Sequence, residues 1–153
     1  MTQRVIGIDP GKNGGIAIFA ADRRELCEVV KMPPTPADIL QLLHEVSDNA
    51  KCVAYLEKVG GMPGQGGAAS FNFGENYGHI TLALLACNIP TEIVSPAKWQ
   101  KFFNLQGKKS ESKTDHKNRM KARAQQLFPA TKVTLWSADA LLIAQYGLNQ
   151  ERI

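Results

Sequence analysis

The stretch RVIGIDPGKNGGIAIF, residues 4–19, constrains the fold more than any other part of the sequence. An apolar, β-rich run ends in Asp9, Pro10-Gly11 interrupts it, and Gly14-Gly15 leads into a second apolar run. This arrangement of apolar runs and turn-forming residues predicts a strand, a tight turn and a returning strand. One carboxylate therefore stands at the end of a strand in the middle of the predicted fold.

Strand and helix patterns follow one another along the rest of the chain. Further strands are predicted in GIAIFAA, LCEVVKM, KCVAYLEK and IPTEIVS, the first two completing a three-stranded meander. Helices are predicted in MPPTPADILQLLHEV, FNFGENYGHITLALLACN, SPAKWQKFFNL, SKTDHKNRMKARAQQLFP and SADALLIAQYGLN, with Ser137 as the N-cap of the last. These elements predict an α/β fold in which helices flank one mixed five-stranded sheet, in a single domain over residues 1–153.

Three acidic residues occupy notable places in this pattern. Asp9 ends the first strand, Glu57 ends the fourth, and Asp139 lies in the first turn of the last predicted helix. If the first and fourth strands are parallel neighbours, their ends meet at one edge of the sheet, where open α/β sheets place their sites. Converging carboxylates repel one another unless a hard divalent cation neutralises them. Each acid alone also has a simpler explanation, as a turn residue, a solvated strand end or a helix-dipole partner.

Basic residues concentrate in one segment. Nine of the chain's 18 lysines and arginines lie between positions 98 and 123: Lys98, Lys101, Lys108, Lys109, Lys113, Lys117, Arg119, Lys121 and Arg123. Charge runs are usually solvated helix faces, but this one is opposed only by Glu111 and Asp115. A one-signed patch of this kind can neutralise phosphates and release counterions. The segment therefore favours a nucleic-acid partner.

Other functional classes are disfavoured by the sequence. Three widely spaced cysteines fit neither a disulfide framework nor a zinc site. No apolar stretch approaches membrane length, and no targeting segment fits before the first strand, so a cytoplasmic protein is expected. The glycine-rich stretch VGGMPGQGGAAS lacks the Gly-Lys-Ser/Thr of a phosphate loop, so no nucleotide cofactor is expected. The chain is also too short for the second lobe of an actin-like kinase, whose first strand can carry GIDPG.

The motifs together resemble a known family. VIGIDPGKNGGIAIF, AYLEKVGGMPGQGGAASFNFGENYGHI, VSPAKWQKFF, DHKNRMKARAQQLFP and ADALLIAQYG occur in the order seen in the RuvC-type Holliday junction resolvases of the RNase H-like superfamily. Phage-type members and the plant chloroplast resolvase are the most similar. The resemblance spans nearly the whole chain.

The resemblance implies a homodimer that binds four-way or branched DNA and nicks two strands symmetrically, leaving 5′-phosphate and 3′-hydroxyl ends. It implies Mg²⁺ or Mn²⁺, two ions per site, held by Asp9, Glu57 and Asp139. It also implies that Lys117 and either Lys101 or Lys108 contact the DNA backbone, with Lys113 a further candidate. Residues after the glutamate engage the junction centre in this family, which makes Gln65 and Phe71 candidates here, with Phe73 and Trp136 as alternative stacking residues.

One position departs from the family pattern. A fourth acid or a histidine usually precedes the last acid by three or four residues, where this chain has Trp136 and Leu135. Asp115 or His116 are conceivable replacements. The departure therefore leaves an alternative function open, in which the metal site is degraded and the protein binds junctions without cutting them. An RNA-directed nuclease of the same superfamily is a further alternative.

Overall fold

A computed structural model of the chain describes residues 1–60 and 64–151, so part of the glycine-rich stretch lies outside the described residues. The elements in chain order are β1 (Thr2–Asp9), β2 (Gly15–Ala20), β3 (Glu25–Lys31), α1 (Pro36–Ser47), β4 (Ala50–Glu57), α2 (Gly67–Ala86), β5 (Thr91–Val94), α3 (Pro96–Phe102), α4 (Lys113–Leu127) and α5 (Leu135–Gln150). Every predicted strand and helix is therefore present. None of the helices in the described ranges combines the length and apolarity needed to cross a membrane.

The five strands form one mixed sheet in the order β3-β2-β1-β4-β5. The first three strands form the predicted antiparallel meander, and β1, β4 and β5 run parallel. Ile8 of β1 is paired with Leu56 of β4, one residue before each strand's carboxylate. The two strands consequently end at the same edge of the sheet, as the sequence predicts.

Alternating side chains on the strands build one core on each face of the sheet. Val5 and Phe19 pack with apolar residues of α3, α4 and α5. Ile6 and Ile8 point to the other face and pack with residues of α1 and α2. A period of two along β1 thus buries both faces, which confirms the predicted arrangement of a mixed sheet flanked by helices.

Gly7 allows α5 to pack directly against β1. A Cβ atom at Gly7 would lie 2.3 Å from the backbone nitrogen of Ala144 and 2.6 Å from the carbonyl oxygen of Ala140. Because a side chain cannot occupy that space, the close approach requires glycine. At the start of the helix, Trp136 packs against Gly15, the strand partner of Asp9. The helix therefore begins at the edge where β1 ends.

Two helix starts differ from the prediction. The last helix begins at Leu135, so Ser137 is not its N-cap and Asp139 is its fifth residue rather than part of its first turn. Ser137 instead accepts a hydrogen bond, 2.9 Å long, from the backbone N–H of Thr134, which is the N-cap residue. The long helix α2 begins at Gly67, four residues before the predicted start at Phe71.

Candidate active site and nucleic-acid interface

The three predicted site acids lie at one edge of the sheet, in two adjoining cavities. Asp9 and Asp139 line a cavity of about 420 Å³. Glu57 lines a neighbouring cavity of about 320 Å³, and Gln65 and Phe73 line both. The parallel pairing of β1 with β4 and the contact of α5 with Gly7 together produce this arrangement.

Burial and mutual repulsion disfavour ionisation of the two aspartates. The pKa of Asp9 is raised well above its ordinary value, first by burial and then by the charges of Asp139 and Glu57. Burial raises the pKa of Asp139 to about 6. Lys117 lowers the pKa of both aspartates without restoring ordinary values. A cation bound in this cavity would therefore be stabilised by the two aspartates, and it would favour their ionised forms.

Glu57 is held by a buried tryptophan. The Trp99 Nε1–H donates a 2.7 Å hydrogen bond to Glu57 Oε2, and the indole is fully buried under the sheet. Burial raises the pKa of Glu57 to about 7; the Trp99 hydrogen bond lowers it and the charge of Asp139 raises it. Without a neighbouring positive charge, this buried carboxyl therefore resists ionisation at neutral pH.

The turn after Asp9 is fixed by α2, a contact that the sequence analysis did not predict. The backbone N–H of Gly11 donates a 2.7 Å hydrogen bond to Asn76 Oδ1. Gly11 has a φ of 103°, and the ring of Phe73 packs against its Cα, so glycine is needed there for both backbone and space. The spacing of Asn72 and Asn76, four residues apart and so on one face of α2, is the signal in the sequence that could have indicated this contact.

Apolar side chains occupy the two positions at which the resembling family carries its fourth acid. Trp136 is half-buried against Gly15, and Leu135 is exposed. His116 lies near enough to lower the pKa of Asp139, but its Nε2 is 2.7 Å from the carbonyl oxygen of Leu105. Asp115 is exposed at the start of α4. Across residues 1–60 and 64–151, no three His, Cys, Asp or Glu side chains form a ready-made metal-ligand group.

The donor chemistry of this edge nevertheless fits an oxygen-preferring divalent cation. Asp9, Glu57 and Asp139 supply carboxylate oxygens, which Mg²⁺ and Mn²⁺ prefer as ligands. Their pKa values are raised by burial and by one another, so the ionised forms need a neutralising partner. Asp9 and Asp139 share a cavity, whereas Glu57 is directed to Trp99 in the adjoining one. A bound ion would draw its first ligands from the two aspartates.

The predicted DNA-contacting lysines are exposed, and Lys117 also lines the acid cavity. Lys113 lies one turn earlier on α4, Lys101 lies in the last turn of α3, and Lys108 lies in the intervening loop. Arg119 is instead occupied by an ion pair with Glu111, with 2.6 Å between Nε and Oε2. The basic surface therefore consists mainly of lysines, and it begins at the acid cavity.

The residues predicted to engage a junction centre are near the acids to different degrees. Gln65 lines both cavities. Phe71 is 68% exposed on the first turns of α2, whereas Phe73 is half-buried against Gly11. Packing against Gly11 thus accounts for Phe73, whereas the ring of Phe71 is open to solvent.

The outer face of α2 carries apolar residues that nothing in residues 1–60 and 64–151 covers. Leu82 and Leu85 are 66% and 73% exposed, and Cβ atoms at Gly74 and Gly78 would meet nothing within 4 Å. The glycines therefore do not serve packing within the described part of the chain. An exposed apolar stripe of this kind is typical of a contact with another molecule.

Comparisons with known proteins extend the description of the fold. No protein-family model matches the sequence, and no curated protein matches it. Solved structures do match, and the mixed five-stranded sheet flanked by helices is an RNase H-like fold. More particularly, the RuvC structure from Thermus thermophilus aligns with a TM-score of 0.63 and 20% identity over 96% of this chain and 95% of that one. T. thermophilus RuvC in complex with a Holliday junction substrate aligns with a TM-score of 0.66 and 18% identity over 96% and 94%. The chain therefore has a RuvC-like fold.

Proposed function

We propose that this protein is a divalent-metal-dependent endodeoxyribonuclease that cuts four-way or branched DNA. The observation that carries the proposal is the cavity in which Asp9 and Asp139 repel each other beside Glu57, with Lys117 at its wall. The RuvC-like fold supports the same reading, because a structural neighbour is a complex with a Holliday junction. The likeness to phage-type and plant chloroplast resolvases stays a prediction.

The chemistry follows from the charges at the sheet edge. Asp9, Asp139 and Glu57 would hold Mg²⁺ or Mn²⁺, two ions per site, which supply activation of water and stabilisation of the leaving oxygen when bound. Lys117, beside both aspartates, is placed to attract the phosphodiester of the strand. The expected products are nicks with 5′-phosphate and 3′-hydroxyl ends.

The DNA would lie across the lysine surface. Lys101, Lys108 and Lys113 would contact backbone phosphates beyond the cavity, while Gln65 and Phe71 would engage unpaired bases at the branch point. Affinity that rests on lysine–phosphate contacts falls steeply with salt.

Symmetric nicking of two strands requires two sites, and we propose a homodimer formed through the outer face of α2. The exposed Leu82 and Leu85 would supply apolar burial, and the uncovered Gly74 and Gly78 would allow two helices to approach closely. The proposed setting is the cytoplasm of a bacterium or of a phage-infected host, and the active unit is the single domain over residues 1–153.

A second function is favoured by one observation. Trp136 packs where the resembling family has its fourth acid, so the site offers fewer carboxylates than that family uses. A protein that binds junctions without cutting them would tolerate this loss.

The test is a nicking assay on a synthetic four-way junction, a linear duplex of the same sequence and an RNA duplex, in Mg²⁺ and in Mn²⁺. Asp9→Asn is the inactivating variant, and Asp22→Asn, exposed on the β2–β3 turn, is the matched control. Paired, metal-dependent nicks in the junction alone, lost in Asp9→Asn and kept in Asp22→Asn, are expected. Tight junction binding without nicks would favour the non-catalytic function, and cleavage of RNA would favour the RNA-directed alternative.

A further inference from the structure

A second groove lies next to the acid cavity and has no role in the function proposed above. Its volume is about 610 Å³. Its walls are the β1–β2 turn, the segment 31–36 between β3 and α1, and one face of α2. Lys12, Asn13 and Asn72 line both this groove and the acid cavity. The groove is therefore continuous with the place where a phosphodiester would be cut.

Hydrogen bonds hold the groove open from both sides. The backbone N–H of Met32 donates to the carbonyl oxygen of Gly14 at 3.0 Å, which fixes the segment after β3 to the β1–β2 turn. The Gly11–Asn76 bond fixes the same turn to α2. A site that is already formed costs little reorganisation when a ligand enters.

The lining combines charged, amide and apolar groups, a mixture that suits a nucleotide. Lys12 and Lys31 are exposed cations at the rim, and Glu75 is the acidic group facing them. Pro33 and Pro34 supply apolar lining against which a base could pack. Helix α2 lines the groove with Asn72 and His79, which can donate and accept hydrogen bonds, and with Asn76, whose Oδ1 already accepts from Gly11 and whose amide N–H groups can donate. Side-chain amides are well suited to reading base edges.

We infer that this groove binds one nucleotide of the cut strand, next to the scissile phosphate, and thereby selects the base at that position. The inference rests on the proposed function, because the strand must pass through the acid cavity to reach the groove. The volume falls within the range of ordinary small-ligand sites. Selection at this point would give the enzyme a sequence preference in addition to its preference for branched structure.

The experiment measures binding of four-way junctions in Ca²⁺ by the full chain carrying Asp9→Asn, so that the DNA stays intact. Single abasic sites are placed in turn at each position flanking the expected cut. Pro34→Trp fills the groove and Lys31→Ala removes a rim cation, each added to Asp9→Asn. Lys51→Ala, an exposed lysine at the opposite end of the sheet, is the control for lost charge. Circular dichroism establishes that each variant is folded.

One abasic position is expected to weaken binding by about tenfold, the scale of a lost base contact. Pro34→Trp should weaken intact junctions similarly and show no further loss at that abasic position, and Lys31→Ala should reduce affinity more than Lys51→Ala does. Equal abasic effects in all the variants would overturn the groove inference while leaving junction binding intact. Equal affinity for junction and linear duplex would overturn the proposed function itself, and the groove inference with it.

Discussion

Helices α5 and α2 cover opposite faces of the same sheet, yet they are buried to very different degrees. Ten of the sixteen residues of α5 are buried, against three of the twenty residues of α2. Helix α5 packs into β1 through the space left by Gly7. Helix α2 exposes leucines and glycines on its outer face and directs Asn72, Phe73 and Asn76 to the site. Helix α5 is therefore mainly part of the hydrophobic core, whereas most of α2 is accessible to other molecules.

The largest expected effect comes from adding one methyl group beneath α5. Gly7→Ala would place Cβ against the backbone of Ala140 and Ala144, so we expect the free energy of unfolding to fall by about 3 kcal/mol or more. Gly67→Ala, at the first residue of α2, is the matched control, since its Cβ meets nothing among the described residues, and stability should change by less than about 0.5 kcal/mol. Urea unfolding monitored by circular dichroism measures both. Similar losses in the two variants would contradict the comparison.

The metal-free protein should lose stability as the pH rises, because its site acids are buried at the sheet edge to which α2 and α5 both contribute. Folding raises the pKa of Glu57 from an ordinary 4.5 to about 7, so below pH 4.5 both states are protonated and no penalty exists. Above pH 7 the folded state must ionise a buried carboxyl, which lowers the free energy of unfolding by about 3 kcal/mol. The shifts of Asp9 and Asp139 act in the same direction.

Urea unfolding at pH 5 and pH 8 in the presence of a chelator measures this dependence. Glu57→Gln should remove a large part of it, whereas Glu28→Gln, exposed on β3, should leave it unchanged. A wild-type protein more stable at pH 8 than at pH 5 would show that the burial penalty assigned to these acids is wrong.

A charged substitution at an exposed position tests whether the outer face of α2 forms the dimer interface. Leu82→Glu should weaken the proposed dimer by about 2 kcal/mol, roughly thirtyfold in dissociation constant, because it replaces apolar contact area with a charge. Stability of the monomer should change by less than about 0.5 kcal/mol, as for other exposed sites. Sedimentation over a concentration series separates these effects. An unchanged association constant would place the dimer interface elsewhere.

The smallest expected effect concerns the lysine surface. Lys113→Ala should reduce the slope of log affinity against log salt by about 0.9, the value for one lost phosphate contact. Its affinity for junction and duplex should fall by a similar factor, because phosphate contacts carry no sequence information. Filter binding across salt concentrations, with Lys51→Ala as the control, measures the slope. Equal slopes in the two variants would remove Lys113 from the interface.

The fold could be predicted from the sequence because its signals are local. Alternating apolar runs, the Pro-Gly break and the caps at Thr35 and Ser95 all act within a few residues. The start of α5 was mispredicted because Ser137 has the chemistry of an N-cap and instead serves Thr134 from inside the first turn. Where two residues of suitable type lie three apart, sequence alone does not decide which one caps the helix.

The site was predictable only in part, because its geometry depends on contacts between distant residues. The placement of Asp9 and Glu57 at one edge follows from strand ends. The bonds from Trp99 to Glu57 and from Gly11 to Asn76 join residues 42 and 65 positions apart, and no local pattern signals them. For the glycines of α2, Gly74 and Gly78, the sequence allows either packing within the chain or a helix contact across a dimer, because an apolar helix face looks alike whether the chain or a partner covers it.

Calorimetric titration with Mn²⁺ at pH 6 tests most directly whether the carboxylate edge is a cation site. Protons should be displaced as the ion binds, because the pKa values of Asp9, Glu57 and Asp139 are raised in the free protein. The wild type should therefore bind Mn²⁺ with a buffer-dependent heat, and Asp9→Asn should not. No binding by the wild type, or equal binding by both proteins, would contradict the assignment of these acids to a metal-dependent nuclease.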